Sequence, residues 1–375
     1  MTGISFTQES QPARPTGLLA WLHLDLPLLT GLMLLSGVGL LILYSAGDQE
    51  LALIQRQLVR LGIAFGVMII LAQIHITHLR RWSPWLYIAG VLMLVAVIFF
   101  GQTGKGAQRW LDLGFFRFQP SEMMKLALPM MIAWYLAEKR LPPKRRRLLA
   151  AAIMTLIPVL LIAKQPDLGT ALLVASAGVF ILFLAGIGWQ LISMFAVSMA
   201  ALGPVIWFFM HEYQKRRVLT FLNPENDPLG AGYHIIQSKI AIGSGGLTGK
   251  GWLNGTQSHL EFLPERHTDF VFAVISEEFG LIGVAALLAL YFFIILRGLY
   301  IATQAQDTFS RLLGGALTLV FFVYLFVNIG MVSGVLPVVG VPLPLISYGG
   351  TSLVTILAGF GILMSIHTHR KLLPT

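Results

Sequence analysis

The chain has 375 residues, of which 56% are hydrophobic and only 11% are charged, and its mean hydropathy is +0.77. Soluble domains carry roughly a quarter charged residues, so this composition excludes an ordinary soluble enzyme and predicts a protein with many membrane spans. The absence of cysteine excludes disulfides, thiolate metal sites and cysteine nucleophiles, and the net charge of +9 indicates basic membrane loops and no nucleic-acid partner.

Ten apolar segments have about the length that a helix needs to cross a bilayer. They are residues 27–46, 58–75, 83–100, 121–137, 149–164, 168–187, 189–209, 269–296, 311–335 and 346–366. The predicted fold class is an all-α polytopic membrane protein with ten transmembrane helices. Residues 1–20 are predicted to be a tail and residues 21–375 a single transmembrane domain, with a large loop at about 210–268 between helices 7 and 8.

The charges of the connecting segments predict the orientation. Residues 138–147, between the fourth and fifth spans, contain six lysines and arginines, which is typical of a cytoplasmic loop. Both termini are then cytoplasmic, and the loop of about residues 210–268 is extracytoplasmic. Basic residues on the outer side, such as Arg109 and Lys239, reflect either a long translocated loop that ignores charge bias or the attraction of an anionic ligand.

Two segments resemble ligand sites but do not fit them. Residues 243–251 are rich in glycine, yet they lack the first glycine and the Ser or Thr after Lys250 that a phosphate-binding loop needs. A flexible or close-packed external turn is predicted instead. His367 and His369 are interpreted as a cytoplasmic helix end and not as metal ligands. A divalent ion, Mg²⁺ or Mn²⁺, held by one or two carboxylates stays open.

Charged residues at the outer ends of the spans are candidate site residues. Glu122 and Lys125 are three residues apart at the start of the fourth span, so they share a helix face. They either form a structural ion pair or line a polar cavity. Asp167 precedes the sixth span, and capping of that helix is favoured over catalysis.

Asp269 is the leading catalytic candidate, because an ionisable group at the end of a membrane helix is usually functional. Its alternative role is that of a helix N-cap. We expect Ala273, Ser276 and Gly280 to follow on its face and to border a cavity. Residues 336–352 are apolar but rich in Pro and Gly, which predicts irregular backbone buried in protein or lining a cavity, with Ser347 at its polar end.

Four motifs together resemble the SEDS family (shape, elongation, division and sporulation). They are residues 118–125, 165–170, 263–270 and 346–352, and the resemblance covers nearly the whole chain after the first 20 residues. Residues 223–239 and Arg266 fit the elongation branch of the family better than its division branch.

The resemblance implies a peptidoglycan glycosyltransferase of the bacterial cytoplasmic (inner) membrane that maintains rod shape. It would polymerise lipid II into glycan strands during cell elongation and release undecaprenyl pyrophosphate. The essential aspartate of the family maps onto Asp269, and its polar pair maps onto Glu122 and Lys125. The implied partners are a class B penicillin-binding protein, which is a transpeptidase, and the elongation machinery of MreB, MreC and MreD.

The chemistry of lipid II agrees with a single catalytic carboxylate. Glycosidases use two carboxylates, one of which protonates a poor leaving group. Pyrophosphate is a good leaving group, so one general base suffices, and inversion at the donor carbon is expected. Arg109, Lys125, Glu122, Lys239 and Ser347 are the predicted substrate-binding residues. A lipid II flippase or other transporter and a non-catalytic scaffold for a transpeptidase are the alternatives.

Overall fold

In a computed structural model, the described part of the chain comprises residues 23–104, 107–112, 114, 117–188, 190, 193, 197, 201, 207–208, 212–227, 230–259 and 265–369. The helices assigned within it are α1 Leu26–Ala46, α2 Leu51–Gln73, α3 Ile76–Phe100, α4 Pro120–Ala137, α5 Arg145–Lys164, α6 Leu168–Leu184, α7 Glu212–Leu222, α8 Ala231–Ser244, α9 Thr256–His259, α10 Val271–Thr303, α11 Thr308–Val332 and α12 Thr351–Thr368. Three strands follow α3: β1 Gln102–Gly104, β2 Ala107–Asp112 and β3 Arg117–Phe118.

The helical membrane fold predicted from composition is confirmed. Seven helices of the described residues are long and apolar enough to cross a membrane, namely α1, α2, α3, α5, α10, α11 and α12. The fourth predicted span corresponds to α4 and the sixth to α6, which is a shorter apolar helix. The seventh, residues 189–209, falls almost entirely outside the described residues, so the count of ten spans stays a prediction.

Two predicted helix starts were placed too early. The eighth span was expected to begin at Asp269, but α10 begins at Val271 and Asp269 lies in the turn before it. The tenth span was expected from residue 346, but α12 begins at Thr351. In both places the backbone is held in a turn by hydrogen bonds from a distant segment: Asn328 donates to Asp269 O, and Tyr348 N donates to His267 O. Hydropathy alone does not detect such contacts.

A small antiparallel sheet between α3 and α4 was not predicted. Strand β2 lies between β1 and β3, and Leu111 pairs with Phe118 while Asp112 pairs with Arg117. The segment is short and carries polar residues, so its strand pattern is weak beside the strong signals of the flanking membrane helices. The sheet matters for the site because Arg109 lies on β2.

The segment of about residues 210–268 contains helices α7, α8 and α9, and its glycine-rich part packs against α10. Helix α10 breaks at Gly280, whose φ of +61° and ψ of −162° are available essentially to glycine alone. Leu281 N donates to Gly246 O over 3.0 Å, and a Cβ on Gly280 would lie 2.3 Å from Gly249 N. Of the two alternatives predicted for residues 243–251, a flexible or a close-packed turn, the structure shows the close-packed one.

Contacts between the connecting segments define two ends of the bundle. The sheet end contains β1–β3, the α5–α6 turn and the turn of residues 265–270. At the opposite end, Asp25 caps α1 by accepting from Leu28 N, and it accepts hydrogen bonds of 3.0 and 2.6 Å from Arg297 of α10. His367 of α12 lies 3.3 Å from the same carboxylate. Three helices are thereby joined at one buried carboxylate.

The middle of the irregular segment between α11 and α12 is buried in protein, and other parts of it line a cavity, as its sequence predicted. Val341, Leu343, Leu345 and Ile346 are all 3% exposed or less. Helix α1 approaches the segment closely at Gly39, where a Cβ would lie 2.6 Å from Leu345 O. Backbone at this depth is tolerated because helices surround it and supply its hydrogen bonds.

Candidate active site

A buried ion pair stands at the beginning of α4. Pro120 occupies the first turn of the helix, where its missing N–H costs nothing. Lys125 Nζ donates to Glu122 Oε1 over 2.7 Å and to the Tyr324 hydroxyl over 2.5 Å, and all three residues are less than 8% exposed. The other oxygen of Glu122, Oε2, is buried without a hydrogen-bond partner in the described part of the chain. That oxygen is available to a ligand.

A second polar group joins the sheet to the start of α6. Asp167 caps this helix by accepting from Thr170 N over 3.3 Å, so the capping role predicted for it is confirmed. Gln119 Nε2 donates to its other oxygen over 3.1 Å. The guanidinium of Arg109 donates to Pro166 O over 2.6 Å and approaches Asp167 to 3.8 Å.

These two polar groups face one cavity of about 170 Å³. Its lining comes from the sheet, α4, α6, α11, the irregular segment and the first residues of α12. The lining residues are Arg109, Gln119, Glu122, Lys125, Asp167, Thr170, Leu173, Tyr324, Gly340, Val341, Pro342, Thr351 and Ser352. Both roles predicted for Glu122 and Lys125 are therefore observed: the two residues form an ion pair, and they line the cavity.

Asp269 lies next to the wall of this cavity and does not line it directly. Its carboxylate oxygen Oδ2 would be 3.5 Å from a Cβ on Gly340, which is a lining residue with a φ of +74°. Asn328 of α11, which is fully buried, holds the turn by donating to Asp269 O over 2.9 Å and to Val341 O over 2.8 Å. Because Gly340 has no side chain, no side-chain atom of this residue separates the Asp269 carboxylate from the cavity.

Two predicted substrate-binding residues lie away from the cavity. The Ser347 hydroxyl donates to Thr268 O over 2.5 Å and accepts from Leu343 N over 2.8 Å, so it links the irregular segment to the turn of Asp269. Lys239 is exposed on α8, and its side chain packs over Gly334 at the end of α11. The structure thus brings together Arg109, Glu122 and Lys125 but not these two.

The prediction that Ala273, Ser276 and Gly280 of α10 border a cavity is wrong. Ser276 is 4% exposed and its hydroxyl donates to Phe272 O within its own helix. A Cβ on Gly245 would lie 1.9 Å from Ser276 O, and Gly280 packs against Gly249. The glycine-rich segment therefore covers this face, since only glycines allow the two backbones to approach so closely.

His234 of α8 packs beside the turn that carries Asp269. Its ring centroid lies 5.7 Å from that of Phe270, and its Nδ1 has no hydrogen-bond partner among the residues that the structure describes. Burial lowers the pKa of His234, and the charges of Glu265 and Asp227 only partly oppose the effect. The imidazole is therefore neutral at pH 7 and contributes no positive charge beside the turn.

The sequence interpretation missed Tyr324 and Asn328, which hold Lys125 and the turn of Asp269. Both lie on α11, a helix whose apolar composition concealed them. A usable signal was present, because an amide and a phenol inside a membrane span need hydrogen-bond partners and usually face the protein interior.

For metal ligands, no group of three or more His, Asp or Glu side chains suited to an ion is found in the described ranges.

The fold and this site define a class of protein: a polytopic membrane protein with a charged cavity at one end of its helix bundle and a carboxylate at the cavity wall. A family model described as "Cell cycle protein", which covers FtsW, RodA and SpoVE, matches residues 18–372. The chain belongs to this FtsW/RodA/SpoVE family, which is the SEDS family that its motifs resemble.

Named relatives match over almost their full length. The chain is 56% identical over 352 residues to the peptidoglycan glycosyltransferase MrdB of Escherichia coli (strain K12), covering 94% of this chain and 95% of that protein. It is 31% identical to the peptidoglycan glycosyltransferase RodA of Treponema pallidum, with 92% and 98% of the two chains covered.

Solved structures support the same fold. A chain from a peptidoglycan synthase complex, described as coordinating polymerization and crosslinking, matches with a TM-score of 0.79 and 35% identity over 92% of this chain and 97% of that one. The rod shape determining protein RodA of Thermus thermophilus matches with a TM-score of 0.70 and 30% identity, covering 94% and 99%.

Proposed function

We propose that this protein is a peptidoglycan glycosyltransferase that polymerises lipid II during cell elongation. The single observation that carries the proposal is the placement of Asp269 against Gly340, at the wall of a cavity that also contains Arg109 and Lys125. This arrangement puts one base beside cations that suit a pyrophosphate. The names of the two relatives, which are both peptidoglycan glycosyltransferases, support the proposal.

In the proposed reaction, Asp269 accepts the proton of the 4-hydroxyl of the acceptor N-acetylglucosamine. That oxygen attacks C1 of the donor N-acetylmuramic acid, the bond from C1 to the pyrophosphate oxygen breaks, and the configuration at C1 inverts. Undecaprenyl pyrophosphate leaves with the bonding electrons. Arg109 and Lys125 stabilise the negative charge that builds on the leaving oxygen, and Glu122 holds Lys125 in place.

The proposal includes a topology that places the cavity on the outer side of the inner membrane. Ten spans, cytoplasmic termini and an extracytoplasmic segment of about residues 210–268 are supported by the basic loop of residues 138–147. Lipid-linked disaccharides would then meet the sheet end of the bundle. We further propose a class B penicillin-binding protein and MreB, MreC and MreD as partners, since one structural neighbour comes from a synthase complex that also crosslinks.

The substitution Asp269→Asn tests the role of the base, because it keeps the size of the side chain and removes its basicity. We expect polymerisation of purified lipid II in proteoliposomes, with the partner transpeptidase present, to fall at least about a hundredfold. Glycan chains separated on a gel give the rate. Glu50→Gln, an exposed carboxylate at the start of α2, is the matched control and keeps full activity.

Three measurements separate the competing functions: polymerisation, movement of lipid II between leaflets, and cell shape. Near-normal glycan chains from Asp269→Asn would overturn the catalytic role. Movement of lipid II between leaflets without polymerisation by the wild-type protein would identify a flippase. If cells that contain only the Asp269→Asn variant of this protein keep their rod shape, the protein is a scaffold.

A further inference from the structure

Arg60 is an arginine in a membrane-spanning helix, and no described residue is its anionic partner. It is the tenth residue of α2, which is apolar and long enough to cross a membrane. Its guanidinium makes no hydrogen bond and no ion pair with any residue that the structure describes. It is only partly exposed, so the protein shields much of it from water. An arginine at such a position costs free energy unless a partner compensates for it, and it marks a functional site by default.

Among the described residues, Arg60 contacts an aromatic ring near the turn that carries Asp269. Its guanidinium carbon lies 4.3 Å from the centroid of Tyr348. Tyr348 N in turn donates to His267 O over 2.8 Å, two residues before Asp269. Stacking recovers only part of the cost of an arginine in a span and leaves the guanidinium edge free to donate. The geometry therefore presents several N–H donors close to the turn.

Gln57 adds an acceptor on the same face of α2, three residues before Arg60. It is 2% exposed, and its Nε2 donates to Ser347 O over 3.5 Å. Its Oε1 is buried without a hydrogen-bond partner among the described residues. An unsatisfied acceptor beside an unpaired guanidinium suits a ligand that combines a phosphate with a hydroxyl or amide donor.

This location is separate from the cavity of Arg109 and Lys125. Neither Arg60 nor Gln57 lines that cavity, although Arg60 lies beside Gly350 and the next two residues of the chain, Thr351 and Ser352, do line it. Cationic groups therefore approach the turn of Asp269 from two places. A reaction that joins two lipid-linked saccharides requires two such places, because each substrate carries its own pyrophosphate.

We propose that Arg60, stacked on Tyr348 and assisted by Gln57, binds the phosphate of one of the two lipid-linked saccharides. The cavity of Arg109 and Lys125 then holds the pyrophosphate of the other. This inference rests on the proposed glycosyltransferase function and extends it by a second substrate site. Arg60 positions a substrate and takes no part in proton transfer.

Equilibrium binding of lipid II to the full-length Asp269→Asn protein tests the inference, since we expect this variant to bind substrate without consuming it. We expect the additional change Arg60→Gln to weaken binding at one of two sites about tenfold, because a charge-assisted hydrogen bond to phosphate is lost. Arg60→Lys should restore part of the affinity through its charge. Unchanged binding by Arg60→Gln would overturn the proposal.

Kinetics of the single variants give a second readout. In proteoliposomes, Arg60→Gln should raise the KM for lipid II about tenfold and leave kcat nearly unchanged, whereas Asp269→Asn lowers kcat. Arg311→Gln, at the opposite end of the bundle, is the control for loss of one arginine and should keep both constants.

Vesicle composition distinguishes the source of the phosphate. The defect of Arg60→Gln should be equal in neutral phosphatidylcholine vesicles and in vesicles that contain phosphatidylglycerol. A defect confined to the anionic vesicles would mean that Arg60 binds a bilayer phospholipid and would overturn the assignment to substrate. Failure of Asp269→Asn to impair polymerisation would instead contradict the proposed function, so the two failures are distinguishable.

Discussion

At the scale of single residues, Lys125 depends on its two partners. A lysine buried in a helix bundle is costly unless each of its donors is matched, and here a carboxylate and a phenol match two of them. Tyr324 also places its ring under the ammonium group, with 5.0 Å between Nζ and the ring centroid. The ammonium is thereby fixed at the cavity, where it can act on a pyrophosphate without reorganisation.

Tyr324→Phe should therefore lower kcat/KM for lipid II about tenfold, because it removes the hydroxyl that holds Lys125 and keeps the ring. Polymerisation rates at several lipid II concentrations give this ratio. Tyr87→Phe is the matched control, since its hydroxyl donates to Met154 O over 2.8 Å away from the cavity lining. Equal losses in the two variants would show that Tyr324 has only a general structural role.

At the scale of elements, the break in α10 explains how the glycine-rich segment is fixed. Glu277 is fully buried and accepts from Lys250 Nζ over 2.7 Å and from Gln257 N over 2.9 Å. Backbone hydrogen bonds from Lys250 and Gly251 to Glu277 O and Glu278 O add to this contact. The turn of residues 245–251 is consequently docked onto the same helix that follows Asp269.

Gly280→Ala should destabilise the protein by about 3 kcal/mol or more, because it combines a strained positive φ with overlap against the backbone of Gly249. Thermal unfolding in detergent measures the effect as a lower Tm. Gly66→Ala is the control: a Cβ there meets nothing within 4 Å, so the Tm should change little. Equal Tm values for the two variants would contradict the docking described for α10.

At the scale of the whole molecule, the bundle is closed at the end opposite the sheet by Asp25. Its side chain is 2% exposed and joins α1 to Arg297 of α10 and to His367 of α12. Burial by itself would raise the pKa of Asp25, but the hydrogen bonds from Arg297 and from Leu28 N outweigh it, so the pKa is lowered. The stability that Asp25 provides is present above about pH 4, its unfolded pKa, and is lost as the pH falls further.

Asp25→Asn should lower the free energy of unfolding by about 3 kcal/mol at pH 7, because it leaves the Arg297 charge without its counter-ion. The decrease in Tm relative to wild type should shrink as the pH falls below about 4, and it should vanish only below the lowered pKa at which the folded wild-type carboxylate is protonated. Glu138→Gln is the control, since Glu138 is 42% exposed and 3.7 Å from Arg147, and such a pair contributes about 1 kcal/mol or less. A pH-independent difference would show that charge is not the cause.

Much of the fold was readable from the sequence because apolar length is a direct requirement of the bilayer. The irregular backbone of residues 336–352, the cap at Asp167 and the shared face of Glu122 and Lys125 followed from composition and spacing alone. The sheet, the break at Gly280 and the helices within residues 210–268 did not follow. Each of these depends on contacts between segments that lie far apart in the chain.

The sequence by itself determined the helical membrane class, the family motifs and the candidate catalytic carboxylate, since local composition and residue order suffice for these. Only the tertiary structure decided which polar residues meet. It joined Lys125 to Tyr324 and placed Asp269 beside Gly340, and it left Lys239 and Ser347 outside the cavity. The physical reason is that a buried polar group takes its partners from whichever helices pack around it, and helix packing is a property of the folded chain as a whole.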